Sequence, residues 1–166
     1  MITLQKITSK NVGTVYLMKA DENLVAPNNW SIAEAFAYRN EYNQDPIAYA
    51  ICHDDQPVGF IMALYHPPKE FIDCIDNNDE PFYFLWRNMI DEQHQGKGYG
   101  RKALELLIEE ARLGKHGKAT AFYTATVRES GVTPKFYGSF GFEYTGELDI
   151  DENYPDEAED VMRLAL

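Results

Sequence analysis

Gln95-Gly96-Lys97-Gly98-Tyr99-Gly100-Arg101 stands between an aromatic, apolar run from Phe82 to Ile90 and a helical repeat in which Leu104, Leu107, Ile108 and Ala111 recur at i, i+3, i+4 and i+7. The order is strand, glycine loop, helix. Three glycines in five residues let the backbone turn sharply and gather several N–H groups at one point, and the helix start adds a partial positive charge. A loop of this kind suits a pyrophosphate. Arg101 and Lys102 fall in the first helical turn, where the helix dipole disfavours cations, and a bound anion would remove that conflict. The nucleoside-triphosphate pattern G-x-x-x-x-G-K-[ST] occurs nowhere in the chain. Gly98-x-Gly100-x-x-Ala103 does satisfy the dinucleotide pattern. However, Ala121-Phe122-Tyr123-Thr124-Ala125 lacks the acid that would hold a ribose, and the first one after it is Glu129. The pattern therefore speaks against a nicotinamide enzyme.

Outward from the loop, the periodicity predicts an alternation of short strands and helices without internal repeats. Ile2 to Ile7 reads as a strand, and Val12, Val15 and Tyr16 give a short amphipathic helix between about Asn11 and Lys19. A second helix is predicted to begin at Ser31, with Ser31 and Glu34 spaced as a capping box. Ile47 to Cys52 and Val58 to Tyr65 read as a hairpin joined across His53-Asp54-Asp55-Gln56-Pro57. Pro67 to Glu80, with two prolines and five acids, reads as a loop. Ala121 to Val127 is apolar and β-branched, a buried strand able to lie parallel to 82–90 because a helix separates them. A short helix from about Pro134 to Phe140 and two strands, Phe142 to Thr145 and Val161 to Leu166, complete an α/β architecture with a mixed sheet, as one domain over 1–166.

Composition narrows the function further. The chain has 166 residues, enough for one buried core, and 13 % aromatics, which excludes a disordered chain. Fifteen Lys plus Arg against 27 Asp plus Glu give a net charge of −12, which argues against binding nucleic acid or an anionic membrane and is compatible with a cationic small substrate. Eight of the 15 basic residues fall within 97–135, whereas nine of the 27 acids lie between Glu143 and Asp160, a stretch without Lys or Arg. This split suggests a cationic end for phosphates and an anionic end that attracts an amine. Two cysteines, Cys52 and Cys74, are too few for a disulfide framework, the N-terminus lacks a signal-like apolar run, and no stretch approaches a membrane span. A reduced, cytoplasmic setting is expected. His53, His66, His94 and His116 show no ligand spacing, so no metal is predicted.

Gln95-x-x-Gly98-x-Gly100 resembles the acyl-CoA signature Q/R-x-x-G-x-G/A of the GNAT N-acetyltransferases. Phe136-Tyr137-x-x-Phe140-Gly141-Phe142 resembles the late motif L/F-Y-x-x-x-G-F of the same family. The order of elements agrees over nearly the whole chain. Trp86-Arg87-Asn88-Met89-Ile90-Asp91 and Ser31-Ile32-Ala33-Glu34-Ala35 are similar to the bacterial diamine and spermidine acetyltransferases within it. The resemblance implies a GNAT-like domain with a mixed, mostly antiparallel central sheet, flanked by helices and splayed in a V between strands 4 and 5. It also implies transfer of an acetyl group from acetyl-CoA to a primary amine by direct attack in a ternary complex.

By the same resemblance, backbone groups of Met89 and Ile90 would pair with the pantetheine arm, and the amides of Gln95, Gly96, Lys97, Gly98, Tyr99, Gly100 and Arg101 would hold the pyrophosphate. Lys97, Arg101, Lys102 and Lys135 are candidates for the outer phosphates. Tyr137 takes the place of the general acid that protonates the leaving thiolate, since a phenol of pKa ~10 keeps its proton at neutral pH. Two positions depart from the family pattern: Ser130 stands where Asn is usual for a CoA contact, and Trp86 stands where polyamine enzymes of other branches carry a Glu. The base is therefore open among Asp91, Glu92, Glu147, Asp149 and a water chain. Glu147, Asp149, Glu34 and Trp30 are the candidate acceptor contacts. A polyamine such as spermidine or spermine is the preferred acceptor. Amino-acid, aminoglycoside or protein N-terminal acetylation and a non-catalytic CoA-binding module are the alternatives, and the family resemblance leaves room for a homodimer.

Overall fold

The computed structural model describes residues 1–20, 25–76, 79–127, 131–150 and 158–166. Their elements are β1 (Ile2–Lys6), α1 (Val12–Leu17), α2 (Asn28–Tyr42), β2 (Ile47–His53), β3 (Gln56–Tyr65), β4 (Phe82–Ile90), a 3-10 turn (Glu92–His94), α3 (Tyr99–Arg112), β5 (Ala121–Val127), α4 (Thr133–Gly138), β6 (Glu143–Asp149) and β7 (Glu159–Ala165). The strands hydrogen-bond in the order β1-β2-β3-β4-β5-β7-β6. β4 and β5 are parallel, while β1/β2, β2/β3, β5/β7 and β6/β7 are antiparallel, so the expected mixed sheet is present. Registered β4–β5 pairs run from Phe82↔Ala121 to Leu85↔Thr124 and stop there, although β4 continues to Ile90 and β5 to Val127.

The chain groups into two compact units, Met1–Leu64 with Trp86–Glu110, and Tyr65–Leu85 with Ala111–Leu166. In the first, Val15, Ala50, Cys52, Phe60, Met62 and Met89 form a buried cluster against which Ile32, Ala35 and Trp86 pack. The stripe expected on α3 is buried at Leu104, Leu107 and Ile108. Its Glu110 carboxylate accepts a hydrogen bond from the Tyr49 hydroxyl of β2 at 3.0 Å. In the second unit, Tyr83, Phe122 and Phe142 stack in sequence, with ring centroids 5.5 and 6.2 Å apart.

Three sequence expectations change. The hairpin between β2 and β3 is tighter than the five-residue connection read from composition: His53 pairs with Gln56, leaving only Asp54 and Asp55, both at positive φ (48° and 65°). Positive φ at both central residues is the tight-turn geometry that matches strand twist, and Asp tolerates it better than most side chains. Helix α2 begins at Asn28 rather than Ser31, because Pro27 precedes it in extended conformation and accepts the Ser31 N–H at 3.0 Å. Ser31 is thus inside the helix, and no capping box forms. The last two strands are longer than read, and α4 spans Thr133–Gly138.

Gly59 of β3 explains how closely β4 approaches. A Cβ there would lie 2.4 Å from the Met89 carbonyl and 2.7 Å from Ile90 Cδ1. Gly59→Ala is expected to lower stability by roughly 1–3 kcal/mol through this overpacking, read as a shift of the urea midpoint.

Candidate active site

The glycine loop lies in the first unit. Gly96 and Gly98 have φ of 74° and 75°, and a Cβ at either position would meet nothing within 4 Å, so the requirement for glycine is conformational rather than steric. The intrahelical ladder of α3 starts with the Lys102 N–H on the Gly98 carbonyl (3.1 Å). Helix geometry therefore leaves the N–H groups of Tyr99, Gly100 and Arg101 outside it. Gln95 Nε2 donates to the Ile90 carbonyl (3.0 Å), tying the loop to the end of β4, and Ile90 packs its Cγ1 3.3 Å from where a Cβ of Gly100 would stand. Lys97 Nζ reaches the Gln93 carbonyl (3.4 Å) and lies 6.0 Å from the Tyr99 ring, which stacks on His53 with centroids 4.8 Å apart. Lys102 is exposed and paired with Glu105 (3.0 Å). Met89 is buried in the core cluster.

Opposite the loop end of β4, α2 supplies side chains that the sequence reading assigned elsewhere. Glu34, expected at an acceptor or in a capping box, pairs with Arg87 of β4 at 2.8 Å, and Ser31 Oγ accepts from Arg87 Nε at 3.1 Å. Trp30, the other candidate acceptor contact, is exposed. Tyr38 is buried between Tyr42 and Trp86, at 5.0 and 5.9 Å, and its hydroxyl donates to Gln44 (2.6 Å). Asp91, one candidate base, accepts the Lys19 N–H (3.1 Å), and its own N–H goes to the Val58 carbonyl (3.0 Å), so it holds backbone. Asn88 Oδ1 is buried without a hydrogen-bond partner among the described residues.

The second unit holds Tyr137 and the acids. Tyr137, on α4, is buried against Phe136 and Phe142 (5.2 and 5.7 Å). Burial pushes its phenol up to about 12; a hydrogen bond with Thr124 pulls the other way, and the Glu159 carboxylate adds to the rise. Thr124 is buried on β5, its hydroxyl 3.4 Å from the Leu85 carbonyl at the last β4–β5 pair. Lys135 is exposed on the same short helix as Tyr137. Glu147 accepts the Asp76 N–H (3.3 Å). Asp149, Asp73 and Glu147 all raise the Cys74 thiol, which burial chiefly pushes up to about 12. The fields of three carboxylates thus act on one thiol, and the Asp76–Glu147 hydrogen bond brings β6 to that segment. Asp73 belongs to the segment read only as an acidic loop, and nothing in its local sequence marks it as a neighbour of β6. Ser130 lies outside the described residues. Among those described, no group of His, Cys, Asp or Glu is arranged to hold a metal, and no helix is long and apolar enough to cross a membrane.

The acetyltransferase (GNAT) family model matches residues 15–142, and this chain belongs to that family, as an acetyl-CoA-dependent N-acetyltransferase. Over 107 residues it is 32 % identical to the spermine/spermidine N(1)-acetyltransferase of Bacillus subtilis strain 168, covering 60 % of this chain and 67 % of that one. Two solved structures share the fold. An aminoglycoside acetyltransferase in complex with coenzyme A superposes with a TM-score of 0.71 at 14 % identity, covering 99 % of this chain and 95 % of that one. The PaiA N-acetyltransferase of Thermoplasma acidophilum, also in complex with coenzyme A, gives 0.61 at 18 % identity, covering 100 % and 99 %.

The raised Tyr137 phenol has a consequence for stability. Below pH 10 both folded and unfolded chains keep its proton; between pH 10 and about 12 the unfolded chain loses it first, so the stability of the fold falls as pH rises through that window. Tyr38, raised to about 12 by burial and by Tyr42, acts in the same sense. Tyr137→Phe is therefore expected to make the decline between pH 10 and 12 shallower without abolishing it, measured as urea midpoints; equal slopes would remove Tyr137 from this account.

Proposed function

We propose that this acetyltransferase acts on a primary amine of a polyamine such as spermidine or spermine, in a ternary complex with acetyl-CoA. The similarity to the Bacillus spermine/spermidine enzyme carries this reading. The net charge of −12 and the fields of Asp149, Asp73 and Glu147 acting together on Cys74 support it, because a locally negative field favours a flexible polycation. Trp30, exposed on α2, remains the acceptor candidate of the first unit, the Glu34 carboxylate being taken by Arg87. The N–H groups from Gln95 to Arg101 hold the pyrophosphate, with Lys97, Arg101, Lys102 and Lys135 for the outer phosphates, and Ser130 takes the position of the family's Asn contact to CoA. Met89 and Ile90 hold the pantetheine arm and turn a backbone N–H toward the thioester oxygen. A reducing cytoplasm and a homodimer belong to the same reading.

The neutral amine nitrogen attacks the thioester carbon, forming the C–N bond and a tetrahedral intermediate. Collapse breaks the C–S bond. The leaving thiolate takes the Tyr137 proton, and the surplus proton of the new amide nitrogen returns to the phenolate, so the phenol is restored in each turnover. With its pKa pushed up to about 12, the phenol is fully protonated at neutral pH and acts as a donor rather than as the initial base.

Acetyl-CoA consumption across an amine panel tests the acceptor: spermidine and spermine should be turned over ahead of amino acids, aminoglycosides and peptide N-termini, and CoA binding without turnover on any amine would leave only a binding module. Tyr137→Phe should lower kcat by about 10²–10⁴-fold with little change in the KM for acetyl-CoA. Gly98→Val, strained at φ 75°, should instead raise that KM. Neutralising Glu147 and Asp149 together should raise the KM for spermidine more at low salt than at high salt.

A further inference from the structure

Arg87 engages three acceptors in different directions. Its Nε–H donates to Ser31 Oγ (3.1 Å), one terminal nitrogen to Glu34 Oε2 (2.8 Å), and the other to the carbonyl of its own neighbour Trp86 (2.8 Å). The Trp86 ring lies 5.4 Å from the guanidinium carbon. The Arg87 and Glu34 side chains are only 17 % and 29 % exposed. Taking both charges this far out of water costs desolvation that their attraction only partly offsets, so stability alone is a weak reason for the pair.

On a regular strand, residues 86 and 87 face opposite sides, and so do 86 and 89. Here Trp86 packs against the cluster that contains Met89 and meets Tyr38 of α2, while Arg87 reaches Ser31 and Glu34 of that same helix. Two successive residues of β4 thus both reach α2, one through its ring and the other through its guanidinium. The Trp86 carbonyl is held by the next residue's side chain, and immediately downstream come Met89, its carbonyl pressed against Gly59, and Ile90, its carbonyl bonded by Gln95.

We propose that Arg87 is a positioning residue for acetyl transfer: anchored by Ser31 and Glu34 on α2, it pins the stretch from Trp86 to Met89 and thereby sets the direction of the backbone N–H, of Met89 or of Ile90, that is turned toward the thioester carbonyl. This rests on the reading that this group holds the thioester. The planar, five-donor guanidinium serves three acceptors at once, which the single ammonium of lysine does not reproduce. Glu34 then serves the reaction through Arg87 rather than by binding the acceptor amine itself.

The test uses the full chain with Arg87→Met, Arg87→Lys, Glu34→Ala and Glu34→Gln, measuring kcat, both KM values and Tm with acetyl-CoA and the amine best turned over. Arg87→Met and Glu34→Ala should lower kcat, by roughly 10²-fold for a misplacement of about 1 Å, while leaving the KM for the amine near wild type. Arg87→Lys should recover little. Glu34→Gln, which keeps an oxygen acceptor for the guanidinium, should recover most of the rate. An unchanged kcat in Arg87→Met overturns the proposal, and so does a raised amine KM in Glu34→Gln, which would make Glu34 a direct ammonium contact. If Arg87→Met does not fold, Arg87→Lys and the Glu34 pair decide by the same criteria. Should Gly98→Val leave the KM for acetyl-CoA unchanged and Tyr137→Phe leave turnover unchanged as well, the proposed site fails as a whole; if those two show their effects and only the Arg87 variants are silent, the positioning role alone falls.

Discussion

Four parallel pairs, from Phe82↔Ala121 to Leu85↔Thr124, are the constraint from which the rest of the site follows. A parallel ladder demands a crossover, and the chain makes it through the glycine loop and α3, so the loop must fall at the carboxyl end of β4. Because the registered pairs end at Leu85, the five residues after it are released from that ladder. Those residues carry Arg87 and the two backbone positions assigned to the thioester. Thr124, the last paired residue of β5, bears the hydroxyl that meets Tyr137.

The elements legible from the sequence are those whose information is local. β4 opens on the apolar run Phe82 to Trp86, and β5 is an apolar and β-branched run, and both occur where the periodicity places them. The loop is readable because glycine at positive φ is a backbone requirement visible in one letter. Ser31 and Glu34 show the opposite case. Their spacing fits a capping box, yet Pro27 starts the helix earlier and a guanidinium more than fifty residues away takes both side chains. No local pattern reports such a partner. Asp73 is likewise silent until β6 brings Glu147 and Asp149 beside the Cys74 thiol.

Charge is organised by location rather than by total. Lys102 is offset by Glu105 within α3, and Arg87 by Glu34, whereas the carboxylates of Asp149, Asp73 and Glu147 all act on the Cys74 thiol. A cluster of that kind gains most from a mobile cation that brings several charges on one chain, since each added ammonium meets a second carboxylate at little further entropic cost.

The two thiols bear on how the protein can be handled. Cys52 is fully buried and Cys74 half-buried among carboxylates, with both thiols shifted away from the reactive thiolate form. Thiolate, not thiol, reacts with maleimides and disulfides. A single cysteine introduced at an exposed position such as Lys135 would therefore outcompete both native thiols for a fluorophore or spin label, and optical or magnetic observation of α4 could proceed with neither native cysteine replaced.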